Sequence, residues 1–329
     1  MVKVNGRSTK QVVSQKPKRT ARKKNRQSVA RPLPNNIPAT PYAYARLDPF
    51  NPLARGAKVP DFDNNHSCAG DFTIDIPIST DANGNACVVF PFWPINVARV
   101  ASWNPTSLRY ELLGGITSIP QSGAFFSGWD ECVGLRLVGA GAKIRSGLNG
   151  NNVSGKVFVN TMSIAEMRGW RDQLATGGYP VADLTGRKAV VKKQLSEMVA
   201  GQELKFSSSV LDPSAFTYLK PETDPLEPTL DLADCPNYIG MVIFIQGAPA
   251  SSLAVEVSCV MHYEWIPGKS FNFLATRPEP ANSALLERVN NYAEQTPRII
   301  ETLGSIAGNV FQAVKTGLSV AGTMGLIAM

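Results

Sequence analysis

The chain has 329 residues, 43% of them hydrophobic, enough for one large packed domain or two ordinary ones. Its net charge of +7 is unevenly placed: residues 1–31 hold 11 cations, no acid occurs before Asp48, and the rest of the chain therefore carries −4. No apolar core follows the basic stretch and no uncharged apolar run reaches 18 residues, which argues against a secretory signal and a membrane-spanning helix.

The cations are Lys3, Arg7, Lys10, Lys16, Lys18, Arg19, Arg22, Lys23, Lys24, Arg26 and Arg31. Almost no large apolar residue accompanies them, so nothing offsets an ordering cost of about 1–2 kcal/mol per residue, and the arm is expected to be disordered by itself. It is either a solvated tail or a nucleic-acid-binding arm that works by neutralising phosphates and releasing counterions. No aromatic residue lies within it, so charge rather than base stacking would be the mechanism.

A Pro-rich segment follows, with Pro32, Pro34, Pro38, Pro41, Pro49, Pro52 and Pro60. Prolines at this density predict an extended linker without helix, tracking over a surface. From about residue 70 the period changes to two: Phe72, Ile74, Ile76 and Ile78 share one face of a strand over 71–78. An Asn-Gly turn at 81–85 leads to a second strand over 86–92. Further strands are predicted at 132–138, 153–159, 203–210, 238–246 and 253–265, the last two rich in Val, Ile and aromatics as central strands are. Ser163 and Glu166 form a capping box that opens a helix over 163–174 in a connecting loop. The pattern is that of an all-β chain. Its parts are a basic arm (1–31), a Pro-rich segment (32–60), an eight-stranded antiparallel jelly-roll β-sandwich (61–270) and a helical tail (271–329).

In the tail, Leu285, Leu286, Val289, Tyr292 and Ala293 fall at helical spacing and Pro297 breaks the run. Ile299, Ile300, Leu303, Ile306, Ala307, Val310, Phe311, Val314 and Leu318 resume it. Such a tail either packs on its own domain or a neighbouring subunit, or lies in a membrane interface, as the uncharged stretch 317–329 suits.

Signs of turnover chemistry are scarce. His66 and His262 are the only histidines, and His262 sits inside a strand, where a structural role is the simpler reading. There is no phosphate-binding glycine loop, no GxSxG elbow and no metal-ligand spacing. Cys68, Cys87, Cys132, Cys235 and Cys259 are odd in number and widely spaced, which predicts free buried thiols rather than a disulfide frame or a zinc site. Asp224, Glu227, Asp231 and Asp234 gather in a Pro-containing loop with Glu222; they are either solvated or oxygen ligands for Ca2+ at subunit interfaces. No other cofactor is expected.

The order of these parts resembles that of nodavirus and tombus-like capsid proteins. The residues that carry the likeness are Leu47, Asp48, Pro49, Phe50 and Asn51, followed by Gly56 to Asp61, and the run Tyr263, Glu264, Trp265, Ile266 and Pro267. The resemblance implies a coat protein that assembles with itself into an icosahedral shell and packages viral nucleic acid, RNA by the likeness. It implies a place in the virion, and in the host cytoplasm during assembly. It also implies a single self-cleavage after Asn309, with Asn282 as the alternative, assisted by Asp48 or else Asp61, that frees a C-terminal peptide to disrupt host membranes. The order Asp-Pro-Phe at 48–50 differs from the family's Pro-Asp-Phe, and Val310 is β-branched where the family has a smaller residue. Two rivals come from other classes: a cellular RNA- or DNA-binding module with a basic tail, and an acid-type hydrolase using Asp48 or Asp61.

Overall fold

The computed structural model describes residues 33–34, 36–92, 98–106, 108–111, 132–148, 153–167, 178–187, 190–210, 213–219, 238–296 and 298–303. The cationic arm, the acidic loop with its candidate calcium ligands, Cys235, residues 168–174 and Asn309 lie outside them. Among the described residues there are twelve strands: β1 (Cys68–Ser79), β2 (Ala86–Phe90), β3 (Arg99–Asn104), β4 (Arg109–Glu111), β5 (Cys132–Ser146), β6 (Lys156–Ser163), β7 (Tyr179–Pro180), β8 (Val191–Gln194), β9 (Gln202–Ser207), β10 (Ile239–Gln246), β11 (Leu253–Pro267) and β12 (Ile299–Leu303). They form two antiparallel sheets, ordered β1-β11-β5-β9-β12 and β7-β4-β3-β2-β10-β6-β8. The sandwich is the one the sequence predicts; four strands of two to five residues, β4, β7, β8 and β12, extend its edges beyond eight.

Period-two alternation makes β1 as expected: Ile76 and Ile78 are buried and Phe72 and Ile74 half-buried, while Asp71, Thr73, Asp75 and Pro77 face outward. The turn after it is held by Asp81, whose carboxylate accepts from the Asn83 and Asn85 amides at 2.8 and 2.9 Å. Gly84 in that turn has φ +74°, and a Cβ there would lie 2.0 Å from the Ala248 carbonyl oxygen, so only glycine fits. Between the sheets Val88, Ile144, Ile243 and Met261 belong to one continuous apolar core. Cys68, Cys87, Cys132 and Cys259 are free and buried, with burial pushing the Cys132 thiol up to about 11. The Ser163 hydroxyl caps the Glu166 amide at 3.0 Å and residues 164–167 are helical, as the capping box predicts.

Two expectations are corrected. The Pro-rich segment contains a helix, α1 (Pro41–Leu47), with Tyr42 to Arg46 buried. Pro41 stands in the first turn, where its missing N–H costs nothing, and Thr40 caps the Ala43 amide at 3.2 Å. The seven residues from Tyr42 to Asp48 are free of proline, so the density of prolines misled where their position did not. The second correction concerns the tail. The helix ending at Pro297 is there as α2 (Ser283–Gln295), but the start of the run expected to resume it, 299–303, is strand β12, paired to β9 in the register Ile299 to Phe206, and the rest of that run lies outside the described residues. Two adjacent β-branched isoleucines suit a pleated edge, and β9 offers unpaired backbone groups there. Lys193 of β8 then reaches across to Glu301 at 2.8 Å.

α1 and α2 share a second apolar cluster with Val138 of β5, and in it Leu285 and Val289 are buried. Val138 is the extra residue of a bulge, where the β11 register steps from His262–Gly139 to Tyr263–Leu137. Close approach of α1 depends on Gly139: a Cβ there would fall 2.1 Å from the Ala45 carbonyl oxygen. Gly139→Ala is therefore expected to cost about 1–3 kcal/mol by overpacking. Gly186→Ala, where a Cβ would meet nothing within 4 Å, should stay within about 0.5 kcal/mol of wild type. Thermal unfolding of the two variants side by side checks this.

Candidate functional site

Where the Pro-rich segment meets the sandwich, charges lie inside strands. Arg136 of β5 and Glu264 of β11 are register partners, and their side chains are 2% and 1% exposed. The guanidinium donates to Glu264 Oε2 through Nε at 2.9 Å and Nη2 at 2.7 Å. Its Nη1 donates to the Phe216 carbonyl at 3.2 Å and to Asp61, and its Cζ lies 4.2 Å from the Tyr218 ring centroid. Burial lowers the Arg136 pKa, but Glu264, Tyr218 and Asp61 outweigh it and the net shift is upward. Glu264 also accepts from the Val59 amide at 3.1 Å and from the Ser67 hydroxyl. Two separated segments of the lead-in chain are thus tied to one carboxylate.

Lys58 completes the clamp. Its ammonium donates to the Ser67 carbonyl at 2.7 Å, the Thr276 hydroxyl at 2.8 Å, the Thr276 carbonyl at 3.2 Å and the Arg277 carbonyl at 3.0 Å. Burial lowers its pKa, with Glu264 opposing that shift. Ser67 and Thr276 also exchange backbone bonds, so the chain before β1 and the chain after β11 close against each other. An open cleft of about 500 Å³ borders the clamp, lined among others by Asp61, Asp63, Asn65, Arg136 and Tyr218.

The sequence-predicted residues are distributed as follows. Asp61 sits in the clamp with its carboxylate committed to Arg136. Asp48 stands apart as the C-cap of α1, its amide bonded to Tyr44 at 2.8 Å and its carboxylate 3.4 Å from the Asn51 amide group. Asn282 is the N-cap of α2: its side-chain oxygen accepts from the Leu285 amide at 2.9 Å, and its own N–H donates to Pro60 at 2.9 Å. The structure therefore brings Asn282 beside the Pro60–Asp61 bond. His262 is buried and structural, bonded through Nε2 to the Pro49 carbonyl at 2.7 Å. Sequence reasoning missed Arg136, Glu264, Lys58 and Ser67. The available signal was a charged residue inside each of two apolar strands, which is tolerated only when paired. Among the described residues no three His, Cys, Asp or Glu side chains gather as a metal site.

Neither a family model nor a curated protein matches the sequence. Solved structures do match it. The VP2 subviral particle of infectious bursal disease virus gives a TM-score of 0.51 at 10% identity, covering 84% of this chain and 99% of that one. The Gx strain of the same virus gives 0.50 at 10% identity over 85% and 100%. The semi-empty particle of the Macrobrachium rosenbergii nodavirus gives 0.32 at 10% identity over 61% and 95%. The fold is a two-sheet β-sandwich similar to that in the two infectious bursal disease virus structures.

Removing one partner of a buried ion pair strands the other, at a cost of about 3–5 kcal/mol, whereas replacing both by apolar residues is far milder. Glu264→Leu and Arg136→Met are each expected to lose that much in denaturant unfolding. The double variant should recover most of it, giving a coupling well above additivity.

Proposed function

We propose that the protein is the coat protein of a small non-enveloped virus, assembling with itself into an icosahedral shell and holding the genome, RNA on the nodavirus resemblance, through its cationic arm. The observation that carries this is the two-sheet fold, which aligns with nearly the whole VP2 chain of a particle-forming protein. The arm adds quantity: 11 cations per chain over about 180 copies neutralise roughly 2,000 phosphates, the scale of a small viral genome. Expression should yield closed particles by electron microscopy and fast sedimentation; a monomer at every salt and pH tried would favour a cellular binding module instead. Deleting residues 2–31 should leave the sandwich folded and strip nucleic acid from whatever particles form, read as the ratio of absorbance at 260 to 280 nm.

The reading extends to maturation. Asn309 is the proposed scissile residue: its side-chain nitrogen attacks its own carbonyl carbon, the bond to Val310 breaks, and Val310 leaves as an amine that takes up a proton. Asp48 is the proposed proton-handling group, since Asp61 is occupied by Arg136. The freed residues 310–329 carry one charged side chain, Lys315, and as a helix would be about 30 Å long, near a bilayer's hydrocarbon thickness. Asp224, Glu227, Asp231 and Asp234 stay the proposed calcium ligands at subunit contacts. Mass spectrometry of aged particles is expected to find a fragment beginning at Val310, absent from Asp48→Asn and Asn309→Ala particles. A fragment beginning at Ser283 would move the site to Asn282, and an intact chain would remove cleavage from the reading.

A further inference from the structure

His262 lies on the outward face of the five-stranded sheet, opposite Gly139 of β5 on one side and Asp71 of β1 on the other. The chain from α1 to Phe50 runs directly over it. Two glycines permit that approach: a Cβ at Gly139 would fall 2.1 Å from the Ala45 carbonyl oxygen, and one at Gly141 would fall 2.5 Å from the Pro49 ring. Beside them, the Lys143 ammonium sits 4.0 Å from the Phe50 ring centroid. Covered this way, His262 is 3% exposed.

The tautomer follows from the contacts. A carbonyl oxygen can only accept, so the Nε2 atom 2.7 Å from Pro49 O carries the proton and donates. Nδ1 is then a buried lone pair with no hydrogen-bond partner. The neutral ring tolerates this at modest cost. A second proton would put an N–H and a charge where no acceptor waits, and a buried unpaired charge is far costlier than a buried lone pair.

The charged neighbours do not supply that acceptor. β1 presents Asp71, which is engaged at 3.8 Å by Arg55 from the turn after α1. β5 presents glycines and, further along, Lys143; the end of α1 carries Arg46 and Asp48. Burial dominates and lowers the His262 pKa, the Pro49 bond and Asp71 pull the other way, and Arg55 adds to the lowering.

We propose that His262 is an acid-sensitive latch: neutral, it fastens residues 41–51 to the sheet, and protonated, it has no partner for its second N–H and lets them go. These residues connect the cationic arm to the sandwich, so release loosens the root of the arm. The latch is a property of the folded chain and stands whether or not the chain forms a shell.

The direction of the pH dependence is fixed. The docked ring resists protonation and the released ring does not, so the docked state keeps its full stability above the ordinary histidine value of about 6.5. It loses stability as the pH falls below that value, until the docked ring itself takes the proton. The test is hydrogen exchange of the full-length protein at pH 7.5 and pH 5.5, corrected for the intrinsic rate, reading the amides of residues 43–51. Wild type is expected to lose about tenfold in protection, because pH 5.5 lies about one pH unit below the ordinary histidine value and a released ring there is protonated about ten to one, while the docked ring resists the proton. His262→Gln, which keeps a donor for Pro49 and cannot take a proton, is expected to keep its protection. Equal loss in both proteins, or none in wild type, overturns the latch. Should His262→Gln fail to fold, the two histidine rings are followed by NMR in wild type, with exposed His66 as the internal reference. A His262 ring that titrates while residues 43–51 stay protected also overturns it.

Discussion

The Glu264 carboxylate is the constraint around which the sandwich is arranged. Once its charge is removed from water it needs donors on every side, and it takes them from Arg136, the Val59 amide and the Ser67 hydroxyl. Each donor comes from a different part of the chain, so one group fixes a strand neighbour, the lead-in segment and the start of β1 together. The register of β5 against β11 follows. Much of β5 is Gly and Ala, so apolar patterning alone specifies its position weakly. A one-residue slip of β5 would turn Arg136 into the apolar space between the sheets and leave Glu264 without its partner, and that penalty excludes the alternatives.

The outward face of the five-stranded sheet is divided by the same logic. At Gly139 and Gly141 it has no side chains, and α1 with the Pro49–Phe50 turn fills the space. Beyond them the face is charged. Lys143 of β5 stands directly opposite Lys205 of β9, an unfavourable like-charge pair. Glu203 relieves it, 3.0 Å from Arg145 and 3.7 Å from Lys205, while Lys143 leans on the Phe50 ring. The helical layer and the charged patch are therefore two solutions for one sheet face, chosen by whether glycine or a long cation occupies β5.

Much of this was legible in the sequence because the governing signals are local. Period two gave β1, the Asn-Gly signal gave the turn that carries the chain from β1 into β2 of the other sheet, and the Ser163–Glu166 box marked a helix start. The misses came where position or context outweighed composition. Counting prolines over 32–60 hid the fact that Pro41 begins a helix. Helical spacing at 299–303 fits a strand edge equally well, and only the free side of β9 decides between them. Asn282, a candidate for cleavage, also stands just before an apolar helical run, where a residue of that type is a capping signal, and its side chain caps the helix. The clamp was half visible, since Arg136 and Glu264 stand out in apolar strands, but nothing in the spacing says that residues 128 apart are paired.

His262 and Glu264 lie two residues apart on one face of β11, so the Pro-rich segment is fastened twice to a single strand. The two fastenings differ in kind. Glu264 is compensated by a guanidinium and by two further donors, and Lys58 closes the same region with four bonds to neighbouring oxygens. His262 holds Pro49 by one bond and has nothing to offer a second proton. Loss of the weaker fastening cannot propagate through the stronger, because Lys58 and Val59 are bound independently of Pro49. The chain between them contains Gly56, with φ +73° and open space around the position of a side chain. Such a residue absorbs a change of backbone direction at little cost. Residues up to Asn51 can therefore leave the sheet while those from Lys58 onward stay, which confines any movement to the root of the arm and leaves the sandwich whole.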